Sequence, residues 1–126
     1  MVLTGNVRIP KNIENEKLPV QYLPKFDDIE QTMSTRDIYK ELRIRGYQYK
    51  DAFRLLKSTS INGRVGCIKG STYWVAFMDN MLQMKILTYD SRSLFVPTEI
   101  RKLVIDPISH MKQMQKLQTE EDGKHA

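Results

Sequence analysis

One cysteine, two histidines and six glycines in 126 residues exclude several kinds of protein at once. A single thiol, Cys67, forms no internal disulfide, which fits a reducing compartment. The histidines, His110 and His125, lie far from Cys67 in sequence and offer no metal-ligand spacing. There is no G-x-S-x-G nucleophile elbow and no glycine-rich loop able to cradle phosphates. No apolar run approaches the ~18 residues of a membrane-spanning helix. The first residues, Met1 to Asn6, lack the basic and long apolar parts of a signal peptide.

What remains is a chain of globular composition, 40% hydrophobic and 28% charged, of a length suited to one domain. The net charge is +5. Between Arg36 and Lys69 nine Lys/Arg face three Asp/Glu, an excess of six. Such a stretch attracts acidic partners, or is simply a solvated basic surface.

Val2 to Ile9 is a β-prone run ended by Pro10. Residues 11–33 carry Pro19 and Pro24, many charges and no sustained period, and read as a connector, long for one inside a compact domain. Ser34 or Thr35 caps an expected helix over 35–45. Asp37 and Glu41 lie toward its positive end, Ile38 and Leu42 form its apolar stripe, and Gly46 suits the C′ position. Asn62-Gly63 between the β-prone runs 53–61 and 64–68 predicts a hairpin. Gly70-Ser71-Thr72 supplies a turn and a cap for a helix over 72–88. That helix is apolar nearly all round, as a buried core helix is. Ser93 to Val96 and Ile100 to Ile105 read as further strands. Met111, Met114 and Leu117 recur at helical spacing, and the residues from Thr119 read as a solvated tail. The fold class expected is α+β, an antiparallel sheet against a long buried helix.

Asp79 lies in the middle of that apolar helix, and Gln83 follows one turn later. Positions i, i+3, i+4 and i+7 share a helix face. The companions of Asp79 are then Val75, Leu82, Gln83 and Ile86. A carboxyl group deprived of water holds its proton more tightly and suits general-acid work. Buried acids are also often purely structural, and on spacing alone D-x-x-x-Q decides neither way. Tyr47, Tyr49 and Phe53 form an aromatic cluster after the first helix, either core packing or the lining of a substrate pocket. Cys67 reads as a small buried strand residue. Nothing places His110 or His125 near Asp79, and an exposed histidine is the ordinary reading of each.

These residues carry a resemblance. Asp37-Ile38-Tyr39-Lys40-Glu41-Leu42-Arg43-Ile44-Arg45-Gly46-Tyr47-Gln48-Tyr49 resembles the start of the second half of the dehydratase domain in animal fatty acid synthases. Trp74-Val75-Ala76-Phe77-Met78-Asp79-Asn80-Met81-Leu82-Gln83-Met84 resembles its central helix, with the D-x-x-x-Q pattern. Pro97-Thr98-Glu99-Ile100 and Ile105-Asp106-Pro107-Ile108-Ser109-His110 resemble the segments that follow. Polyketide synthase dehydratases share the D-x-x-x-Q/H element. The Tyr-Lys-Glu-Leu-Arg run leans toward the animal synthases, and within them toward an insect branch.

The resemblance implies a double hot-dog fold, each half a sheet wrapped around one helix. Residues 1–10 would close the first half, 11–33 connect, 34–118 form an incomplete second half, and 119–126 a tail. It implies removal of water from a 3-hydroxyacyl chain carried on the phosphopantetheine of an acyl carrier protein, giving a trans-2-enoyl chain. Asp79 would be the proton donor, Gln83 would orient it, and Tyr47, Tyr49 and Phe53 would bind substrate. The family's base, in an H-x-x-x-G-x-x-x-x-P motif, has no counterpart here. The family's Tyr-Gly-Pro-x-Phe-Gln tract is Tyr49-Lys50-Asp51-Ala52-Phe53-Arg54 in this chain, without the Gly-Pro kink. The chain therefore reads as a fragment that is inactive alone, partnered by the carrier protein and by the first hot-dog half of a homodimeric, cytoplasmic parent. No metal, bound cofactor, nucleic acid or membrane is expected. The alternatives are a non-catalytic hot-dog scaffold and a basic module that docks carrier proteins.

Overall fold

The computed structural model describes residues 3–17 and 31–125. The connector residues 18–30 lie outside them. The fold is mixed α+β, with a three-stranded antiparallel sheet of order β1-β2-β3. The elements are α1 (Ile13–Glu16), β1 (Thr32–Ser34), α2 (Thr35–Ile44), a 3₁₀ turn (Asp51–Phe53), β2 (Leu56–Ser60), β3 (Gly66–Ile68), α3 (Trp74–Leu87) and α4 (Pro107–His125).

Helix α2 starts where Ser34 Oγ accepts from the Asp37 N–H, at 3.4 Å. It ends at Gly46, whose φ of +104° suits a residue without Cβ. Its buried residues, Ile38, Tyr39 and Leu42, recur at i, i+1 and i+4. They meet Leu56 of β2 and Ile86 and Leu87 of α3 in one core. Each such aliphatic side chain contributes about 1.5–3 kcal/mol on burial. Thr35 ties α2 to the sheet by donating toward the carbonyls of Leu56 (3.0 Å) and Lys57 (3.1 Å). The C-termini of α2 and α3 are joined by Arg45, which donates to the carbonyls of Ile86 (2.9 Å) and Tyr89 (3.1 Å). A guanidinium at unsatisfied helix-end carbonyls suits both their lone pairs and the helix dipole. Glu41 receives Arg45 and Arg92. Burial pushes its carboxyl up, but the hydrogen bonds from Arg92 and Arg45 hold it below the usual range.

The hairpin forms as expected, though its loop is longer than Asn62-Gly63. The Ser60 N–H donates to Val65 O (2.8 Å) and the Gly63 N–H to Ser60 O (2.9 Å). Asn62 Oδ1 accepts from Ser60 Oγ (2.7 Å) and the Arg64 N–H (3.1 Å), so the side chain shapes the turn. Gly63 has φ +70°, and a Cβ there would lie 2.8 Å from the backbone carbon of Leu87. The turn is thus seated on the end of α3. Strand β2 carries an irregularity between Leu56 and Ser58 in its pairing with β3. Cys67, expected to be buried, is exposed on the edge strand β3.

Several expectations fail for a common reason: a strand needs a partner, and β-propensity is local. Residues 3–10 and 94–106 adopt no regular structure. Leu3, Val7 and Ile9 stand exposed in the first, and Val96, Ile100 and Val104 in the second. Conversely, β1 covers the last two residues of the expected connector and Ser34 after it, pairing Thr32–Ser34 with Ser60–Ser58. Phe53 belongs to the 3₁₀ turn rather than to a strand. Helix α3 begins at Trp74, with Ser71 Oγ accepting from the Tyr73 N–H (3.1 Å) and no side-chain cap. Helix α4 continues through the expected tail to His125, since Glu, Gln and Lys are good helix formers. No helix among the described residues is long and apolar enough to cross a membrane.

Candidate functional site

Helix α3 turns an unexpected side inward. Its buried residues are Ala76, Asn80, Gln83, Ile86 and Leu87. Val75 is 55% exposed and Met81 42% exposed. The helix is therefore not enclosed on all sides, as its apolar composition predicts. Its two uncharged polar residues occupy the middle of the buried face because that is where their hydrogen-bond partners lie. A buried amide left unpaired costs about 1–3 kcal/mol, comparable to burying another aliphatic side chain.

Tyr39 of α2 is the hub of those partners. Its hydroxyl lies 3.0 Å from Asn80 Oδ1 and 2.9 Å from Gln83 Oε1, and its single proton serves one of them at a time. The same oxygen accepts from the Leu56 N–H at 3.1 Å. Asn80 Oδ1 also accepts from the Leu55 N–H (3.0 Å), and Asn80 Nδ2 donates to Ala76 O (2.7 Å). The Gln83 amide spends both protons, donating to Phe53 O (2.9 Å) and to Asp79 Oδ2 (2.9 Å). This fixes Asp79 against the helix and leaves Oδ1 without a protein partner among the described residues. Asp79 itself is half-buried rather than enclosed.

The three expected aromatic residues surround this network. Tyr47 and Tyr49 stack, with centroids 5.9 Å apart and planes 7° from parallel. Tyr49 meets Tyr39 edge-on at 6.4 Å, and Phe53 meets Tyr73 edge-on at 5.9 Å. Tyr47 links to the segment after α3: its hydroxyl donates to Phe95 O (2.7 Å) and accepts from the Phe95 N–H (2.5 Å). Burial pushes the Tyr49 phenol up to about 12, with the Asp79 charge adding to it. Tyr39 is also raised, by burial first. Both phenols feel Asp79, so the carboxylate and the tyrosines share one electrostatic environment. Tyr39, Tyr47 and Tyr49 line an open cavity of about 580 Å³, a volume in the range of small-molecule sites.

The structure thus brings together all five residues singled out in the sequence, Asp79, Gln83, Tyr47, Tyr49 and Phe53. Sequence reasoning missed two members, Tyr39 and Asn80. A hydrophobic pattern counts tyrosine as core. The available signal was Asn80 and Gln83 three apart in an apolar helix, one face with two amides to satisfy.

His110 was expected to be exposed. It is instead half-buried, its ring 4.6 Å from that of Trp74 and 4.5 Å from that of Phe77. At about 100° per residue, Trp74 and Phe77 lie on the side of α3 away from Asp79 and Gln83. His110 belongs to the packing of α4 and is separate from the Asp79 site. Among the described residues no group of His, Cys, Asp and Glu could hold a metal ion. No family model matches this chain.

Proposed function

We propose that this chain supplies the acid half of a dehydratase of the hot-dog type found in animal fatty acid synthases. The observation that carries the reading is the clamp on Asp79. Gln83, anchored on the Phe53 carbonyl, holds one carboxyl oxygen and leaves the other for a substrate. The arrangement suits a dehydration. The acid must meet the departing hydroxyl in a fixed direction, within hydrogen-bond reach. Asp79 gives its proton to the C3 hydroxyl of a 3-hydroxyacyl thioester, which leaves as water. A base from the companion half removes the C2 proton, and the electron pair of that C–H bond forms the C2–C3 double bond. Tyr47, Tyr49 and Phe53 flank the acyl path. The sheet and α3 form part of a hot dog, with the exposed side of α3 covered by other strands. The acyl chain arrives on the phosphopantetheine of an acyl carrier protein.

The test joins this chain to a first half bearing the histidine and measures dehydration of a 3-hydroxyacyl thioester. Asp79→Asn lowers turnover by about 10²–10⁴-fold, the usual contribution of a general acid. Gln83→Met, which keeps the volume but not the clamp, lowers it less. Turnover unaffected by Asp79→Asn removes the residue from this role. Dehydration by this chain alone contradicts the half-site reading, and a joined protein with no turnover favours a scaffold.

A further inference from the structure

The cavity over the tyrosines has a second property that does not rest on the dehydratase reading, although a ligand held there excludes an acyl chain from Tyr47 and Tyr49. Its rim is cationic. Arg36, Lys40 and Arg43 lie along α2 at i, i+4 and i+7, one stripe of the helix, and Lys50 and Arg54 come from the loop opposite. Among the described residues no Asp or Glu lines the cavity. Arg36, Lys40, Arg43 and Lys50 are exposed, and none is paired with a carboxylate among the described residues. The nearest paired arginine, Arg45, is spent on Glu41 and the end of α3. Arg54 lies over the Tyr39 ring, 4.7 Å from its centroid, which holds its charge at the cavity edge.

Four like charges within a few turns of chain repel one another in the absence of an anion. Local sequence pairing would have relieved this at little cost, as Glu41 does for Arg45. Beneath the rim lie flat aromatic walls, the parallel rings of Tyr47 and Tyr49. The Tyr49 hydroxyl has no hydrogen-bond partner among the described residues. Like any phenol it keeps its proton throughout the neutral range, and burial only strengthens that hold. Cations around the opening with ring faces and a free donor inside match a ligand with several negative charges at one end and a planar group at the other.

We propose that this cavity binds a nucleoside polyphosphate, the phosphates among Arg36, Lys40, Arg43 and Lys50 and the base against the Tyr47–Tyr49 pair. Guanidinium groups engage phosphate oxygens bidentately, whereas lysines act as point charges. The volume of about 580 Å³ accommodates one such molecule.

Calorimetric titration of the whole chain with ADP, inorganic pyrophosphate and adenosine tests the proposal. ADP binds tightest, pyrophosphate more weakly and adenosine weakest, and added salt weakens the first two. Arg43→Glu and Lys40→Glu each weaken ADP by about tenfold or more, as expected for loss of a charge-assisted contact. Both side chains are exposed, so folding is retained and is checked by circular dichroism. Pyrophosphate binding as tightly as ADP eliminates the base-stacking half and overturns the proposal. So does ADP affinity indifferent to both charge reversals. A single-stranded oligonucleotide that binds where ADP does not overturns it in favour of a nucleic-acid surface.

Discussion

The two principal helices follow opposite logic. In α2 the pattern of apolar residues dictates orientation: Ile38, Tyr39 and Leu42 go in, and Arg36, Lys40 and Arg43 stay out. In α3 apolar residues lie on every side and cannot choose a face. The choice falls to the minority, Asn80 and Gln83, which go inward to meet Tyr39, Leu55 and Phe53. The face left outside includes Val75 and Met81. Ala76, Ile86 and Leu87 share the buried face with the two amides. The hydrophobic effect, which is not directional, thus favours burial of several faces, and hydrogen-bond satisfaction, which is directional, selects this one. Directional control is also what holds an acid such as Asp79 in one rotamer.

The sharpest break of this comparison is a pair of apolar truncations. Leu42 is fully buried in the shared core, and Leu42→Ala lowers stability by about 2–5 kcal/mol. Val75→Ser, on the apolar helix, changes it by no more than about 0.5 kcal/mol. Urea unfolding of the whole chain measures both. If Val75→Ser is as costly as Leu42→Ala, α3 is enclosed and the contrast between the helices disappears. If the same substitution becomes costly only after a companion half is joined, that half covers this face.

Much of this arrangement was legible in the sequence. The Ser34 cap, the Ile38–Leu42 stripe and Gly46 delimit α2 by rules that operate within one or two turns. Asn62-Gly63 marks the hairpin for the same reason. What escaped is non-local. Strand β1 is three residues long and is defined by Ser58 to Ser60, far along the chain. Residues 94–105 have strand propensity but no partner strand among the described residues. Asp79 and Gln83 were found because they interrupt an apolar run. Tyr39 was not, because its role depends on a hydroxyl whose four neighbours, Phe53, Leu56, Asn80 and Gln83, come from two other parts of the chain. The Tyr47–Phe95 link depends equally on where a later segment returns.

Tyr39→Phe probes the directional side of the comparison with a single atom. The ring stays, so the packing of α2 is preserved. The Leu56 N–H loses its acceptor, and one amide oxygen of α3 loses its donor. Leaving a buried donor unpaired costs about 1–3 kcal/mol. Part of the effect should couple to Gln83, so that Tyr39→Phe and Gln83→Met together cost less than their sum by about 0.5–3 kcal/mol. Additive losses in denaturant unfolding would mean that Tyr39 and Gln83 act separately, and that α3 is not positioned through the hub.

The smallest expected effect is electrostatic. It reports whether the carboxylate of α3 and the tyrosines of the other region share one environment. A phenol with its folded-state affinity for protons raised binds more protons in the folded than in the unfolded chain between its two titration points. Its contribution to stability is then complete below pH 10 and is lost as pH rises through about 12. Phenolate absorbance of the folded chain should therefore show a late component near pH 12 that Tyr49→Phe diminishes, Tyr39 also titrating above an ordinary phenol. Burial is the larger cause of the shift and the Asp79 charge the second. Asp79→Asn should move the late component downward without returning it to an ordinary phenol. A late component indifferent to Asp79→Asn would separate Asp79 from Tyr49, and with it the acid from the cavity that the tyrosines line.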